Sequence, residues 1–155
     1  FIALLLISCE GPMGPPGRDG QVIVGQMFEA NISFNAGNDY QEFVDIPSQI
    51  DVYPTDIVVA YILAGDFDGS DIWEPLPQTL FLNEGTLLYG YNYTEFDVGF
   101  FLDGTVDLDQ LDSDFTNNII FRVAVLPADQ VQGLDLSNMT NVLNSLENKE
   151  IIHLN

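Results

Sequence analysis

Most residues in this 155-residue chain that could do chemistry are carboxylates: 24 Asp and Glu stand against 3 Lys and Arg, with one His and one Cys. Hard cations such as calcium take oxygen ligands from Asp, Glu, backbone carbonyls and water. Two acidic stretches have the density for that: Asp66, Asp68 and Asp71 with Glu74, and Asp103, Asp107, Asp109, Asp112 and Asp114. Neither has EF-hand spacing, since Gly69 occupies the fourth position of the first stretch and not the sixth. The competing reading is a pair of hydrated turns in which Asp serves turn geometry and solubility. Calcium is the one cofactor the composition suggests, and these acids are its candidate ligands.

Stacking is the second chemistry on offer. Trp73 lies in the Pro-rich stretch 73–77, and Tyr89, Tyr91 and Tyr93 alternate so as to share one strand face. Turned outward, they would make a platform for a glycan or a peptide. Turned inward, they would fill a core, which is the commoner use of such a stripe. Catalytic apparatus is sparse: His153 is the sole histidine, and no G-x-S-x-G elbow, P-loop, H-E-x-x-H or G-x-G-x-x-G occurs. Glycosidase-like carboxylate pairs carry little weight, because with 24 acids any fold brings some pair within range. The residue types therefore point away from an enzyme. A net charge of −21 also excludes nucleic acid as a partner, since Arg18, Arg122 and Lys149 are too few and too scattered to neutralise phosphates. Arg122, inside an apolar run, needs a carboxylate partner if it is buried.

Cys9 has no second cysteine in these residues to pair with, and it cannot build a cysteine-based zinc site. It closes the apolar run Phe1-Ile-Ala-Leu-Leu-Leu-Ile-Ser8, which is shorter than the roughly 20 residues a spanning helix needs but suits the core of an export signal. Gly11, Gly14, Gly17 and Gly20 then recur at every third position with Pro between them, the collagen pattern, and Ile23 breaks it. So short a stretch reads as an extended spacer of roughly 30 Å, at about 3.1 Å per residue, in preference to the stem of a trimer. A monomer is favoured on that reading.

The elements that must position these groups follow period two. Apolar residues alternate over 22–34, 40–46, 78–82, 86–95 and 96–103, and 56–64 and 118–126 are near-continuously apolar, as in central strands. A brief edge segment is expected at 50–53, loops at 66–71 and 104–117, and no regular structure across the prolines of 73–77. Leu136, Met139, Val142, Leu143 and Leu146 change to helical spacing, predicting a helix over 136–147 capped by Asp135, with a last strand at 151–154. The fold class is all-β: a two-sheet antiparallel sandwich with a short C-terminal helix.

Leu6-Ile7-Ser8-Cys9 resembles the lipobox of bacterial lipoproteins. Together with EGPMGPPGRDG, VIVGQMFEANISF, WEPLPQT and FRVAVLPAD, it makes the whole chain similar to a family of small Bacteroidota lipoproteins that carry the label collagen-like protein. The resemblance implies cleavage before Cys9, lipid on its sulfur and an outer-membrane location. It leaves the periplasmic or cell-surface face open, since Glu10 is the only acid before the Gly-Pro run. It implies no catalytic residues. The expected organisation is a signal-peptide remnant over 1–8, the lipidated Cys9 and spacer over 9–20, and a β-sandwich over 21–155. The expected function is a non-catalytic envelope lipoprotein whose partner is an envelope protein or glycan, with a calcium-dependent or glycan-binding accessory module as the alternative.

Overall fold

A computed structural model describes residues 24–154. The expected signal remnant, Cys9 and the Gly-Pro spacer lie outside the described residues. Nine strands follow one another along the described residues: β1 (Gln26–Ile32), β2 (Gln41–Asp45), β3 (Ile57–Phe67), β4 (Ser70–Pro75), β5 (Gln78–Leu82), β6 (Gly85–Tyr93), β7 (Asp97–Gly104), β8 (Ile119–Leu126) and β9 (Ile151–Leu154). One helix, α1 (Met139–Ser145), lies between β8 and β9. The strands form two sheets, ordered β4-β3-β8-β1-β9 and β2-β7-β6-β5. This is the expected two-sheet sandwich. All its pairs are antiparallel except β9, which runs parallel to β1 at the sheet edge. No helix among the described residues is long and apolar enough to cross a membrane.

The main core lies between the sheets, where Phe28, Val58, Leu87, Val98, Phe100, Phe121 and Val123 are buried. Phe121 and Phe100 stack across it with ring centres 4.3 Å apart. A second core covers the other face of the five-stranded sheet: Met27, Tyr61, Ala124 and Leu126 pack under Val131, Met139, Val142 and Leu146. Strand β8 is therefore apolar on both faces because both faces are covered, which is why its sequence reads as a run and not an alternation.

Three expectations about strands and loops are corrected. The loop expected at 66–71 is a hairpin: β3 continues to Phe67, Asp68 and Gly69 take positive φ of 53° and 78°, and β4 returns from Ser70. Asp-Gly is the pair that a tight hairpin turn prefers. Trp73, Glu74 and Pro75 belong to β4, which tolerates proline because it is an edge strand and needs donors on one side only. The segment 50–53 is not a strand, although Ile50 is buried.

Helix α1 starts later than its apolar spacing suggests. Asn138, not Asp135, caps it by accepting from the Asn141 N–H at 3.2 Å. The Tyr61 hydroxyl donates to the Leu136 carbonyl at 2.6 Å, and Asp135 accepts from Ser137 in a turn that precedes the helix. Truncating the centre of the main core, Phe121→Ala, is expected to cost about 3–5 kcal/mol, read as a lower urea midpoint with an unchanged slope. A loss under 1 kcal/mol would contradict the packing described.

Candidate functional site

Arg122 is 8% exposed on the outer face of the five-stranded sheet, and strand register assembles its surroundings. Glu29 on β1 is its cross-strand partner, and Glu29 is in turn paired with His153 on β9. The guanidinium Nε donates to Glu29 Oε1 at 2.8 Å, and one terminal nitrogen donates to the same oxygen. His153 Nδ1 lies 2.9 Å from Glu29 Oε2. Trp73 lies over the guanidinium, 3.9 Å from its carbon to the ring centre, and the Met139 sulfur caps one nitrogen at 3.5 Å. A buried cation here has a carboxylate, a π-face and a soft acceptor, so its desolvation is offset on several sides. The ring face of Trp73 is thus occupied from within the chain, and Trp73 is part of the second core instead of standing at a loop tip.

The tyrosines face inward. Tyr89 is buried, and its hydroxyl donates to the Phe115 carbonyl at 2.8 Å. The Tyr91 hydroxyl crosses to the opposite sheet and donates to Val58 at 3.2 Å. Tyr93 stacks on Tyr91 and is half exposed at the strand end. Burial pushes Tyr89 up to about 12 and raises Tyr61 and Tyr91 as well. These side chains join elements together instead of forming an outer platform.

The nine candidate calcium ligands are dispersed. Asp66 and Asp71 face each other across the β3–β4 hairpin, Asp68 is in its turn, and Glu74 sits opposite Ile62 further along β4. Asp103 accepts from the Gly104 N–H at 2.7 Å. Asp107 and Asp112 cap the short 3-10 turns 108–110 and 113–115 by accepting from the N–H groups of Asp109 and Asp114. Asp109 accepts the Tyr40 hydroxyl at 2.6 Å, which pushes Tyr40 up to about 12. Among the described residues, no group of three or more His, Cys, Asp or Glu converges as metal ligands.

A cleft of about 410 Å³ opens at the seam where β4 hands over to β5. Ile62, Leu80, Tyr89 and Phe115 line it, with Glu74, Gln78, Asp114, Asn117 and Asn118 among its polar groups. Its wall carries no cation, so it offers acceptors and amides but no counter-charge for a phosphate.

No protein-family model matches the chain, and no match is found among curated proteins or solved structures. Two groups that sequence reasoning passed over organise the surface. Glu29 appears in the sequence only as an alternate polar position of a strand, and its role follows from register. The flat contacts of Phe43 and Phe101 on glycines also require knowing which strands are neighbours.

Breaking a buried pair leaves an uncompensated charge. Glu29→Gln is expected to cost about 3 kcal/mol, while the double change Glu29→Leu with Arg122→Met costs less than either single change, in a urea double-mutant cycle. Strict additivity would contradict the pair. Raised tyrosine values give the opposite-sign pH effect from carboxylates: the stabilisation is whole below the ordinary value of 10.0 and is lost as pH rises through about 12. Tyrosinate absorbance from Tyr61, Tyr89 and Tyr91 is therefore expected to appear together with loss of circular dichroism. Ionisation of all three in a still-folded protein would refute these bonds.

Proposed function

We propose that the chain is a non-catalytic, lipid-anchored lipoprotein of the bacterial outer membrane, whose β-sandwich has a structural or interaction role. The observation that carries this reading is Leu6-Ile7-Ser8-Cys9 after an apolar run, followed at once by the Gly-Pro spacer. Two acyl chains hold a bilayer where one does not, at about 0.8 kcal/mol per buried methylene.

The fold supports such a tether. Val24 leads directly into β1, which is held between β8 and the edge strand β9, so a pull on the spacer loads hydrogen bonds to a strand on either side. The Val24 N–H donates to Gln130 Oε1 at 2.8 Å and seats the start of that strand. A non-catalytic role is supported by the use made of the reactive groups: His153 faces Glu29, the buried tyrosines donate to carbonyls, and Asp107 and Asp112 cap turns.

Cells fed an alkyne fatty acid are expected to label the wild-type protein and leave Cys9→Ser unlabelled and released from the membrane fraction. An unlabelled wild-type protein in the soluble fraction would overturn the anchor.

A further inference from the structure

The two sheets differ in what covers them. The outer face of the five-stranded sheet is buried under the C-terminal segment, whereas no described element packs on the outer face of the four-stranded sheet. Val44, Val98, Phe100, Leu102, Leu87 and Leu80 point into the core, so the residues alternating with them point out. Phe43, Phe101, Leu88 and Phe81 are the outward apolar residues, one from each of β2, β7, β6 and β5. Register arranges them as a diagonal stripe from one edge strand to the other. Phe43 is 58% exposed and Phe81 86% exposed.

The stripe is held in place from beneath. Phe43 is paired with Gly99 and Phe101 with Gly90, and each ring lies down on its glycine. A Cβ on Gly90 would stand 2.4 Å from the Phe101 ring, and one on Gly99 would stand 2.8 Å from the Phe43 ring. The rings are thus set before any partner arrives, which lowers the ordering cost of binding.

The charge beside the stripe has one sign. Asp45 and Asp97 are directly opposite each other on this face, and Asp103 lies beside Leu88. Like charges directly opposite destabilise a strand pair, and a cation placed between them would relieve that. No Lys or Arg occurs between Arg18 and Arg122, and Arg122 is held by Glu29 on the other sheet.

We propose that the outer face of the four-stranded sheet docks a cationic amphipathic segment of another protein. Its apolar side chains lie along Phe43, Phe101, Leu88 and Phe81, and its Lys or Arg side chains reach Asp45, Asp97 and Asp103. Charge complementarity selects this occupant: anionic polymers are repelled, and a second copy brings the same −21 to the interface. The proposal rests on the reading of the domain as an interaction module and names the chemistry of its partner.

The probe is a fluorescent peptide of alternating Leu and Lys, compared with oligolysine of equal charge and with alternating Leu and Glu. Binding to full-length Cys9→Ser protein is read by anisotropy at about 0.15 M ionic strength. The Leu-Lys peptide is expected to bind at least tenfold tighter than either control. Phe43→Ser with Phe81→Ser weakens it tenfold or more, while Asp45→Asn with Asp97→Asn weakens it and flattens its salt dependence. Thermal melting checks that these exposed changes leave the fold intact. Equal binding of oligolysine, or binding indifferent to both double variants, would overturn the proposal. So would self-association in light scattering that the Phe43→Ser, Phe81→Ser variant abolishes, since that assigns the face to a second copy. The anchor fails separately: an unlabelled protein that still discriminates the peptides loses the lipid and keeps the surface, and a labelled protein that does not discriminate them does the reverse.

Discussion

Arg122 occupies the middle of β8, a strand otherwise apolar on both faces, and a charge there must be matched or the strand cannot be central. Several kcal/mol of desolvation are at stake for each buried ion. Glu29 supplies the match only because β1 lies beside β8 in the register that puts the two opposite each other. The same carboxylate faces His153 on β9, so one acid links three adjacent strands. Trp73 and Met139 close the remaining sides, from β4 and the start of α1. The outer face of the five-stranded sheet is thus organised around a single buried cation, and the C-terminal segment has a defined surface to cover.

That coverage sets the asymmetry of the molecule. One sheet is buried on both faces, the other on one. Tyr61 fastens the covering segment through the Leu136 carbonyl, and Tyr89 and Tyr91 fasten the inter-sheet side through Phe115 and Val58. Each tyrosine contributes apolar area and gives its hydroxyl a backbone carbonyl as acceptor. On the four-stranded sheet, aromatic rings are laid over glycines instead, which leaves an ordered apolar stripe facing water.

The excess of acid also becomes specific once placed. Asp107 and Asp112 cap 3-10 turns and Asp109 accepts a tyrosine hydroxyl, so the long acidic stretch is ordered by its own carboxylates. Asp45 opposite Asp97, and Asp66 opposite Asp71, are different: they are like charges held face to face by strand pairing.

The sequence alone determined the fold class, most strands and the two central apolar ones, because side-chain alternation and burial are local consequences of the pleat. It also carried the Cys9 motif and the spacer, which are linear signals. It misjudged 66–77, where an Asp-Gly turn and an edge position made a hairpin out of residues that look like a loop, and it placed the helix cap at Asp135, which accepts from Ser137 in the turn before the helix while Asn138 is the cap. Only the tertiary structure decided that the tyrosines face inward, that Trp73 covers Arg122, that Glu29 is the shared counter-ion, and that Phe43 and Phe101 rest on glycines. Each depends on which strands are neighbours and in what register, and a one-residue slip in register would turn every one of those side chains to the opposite face.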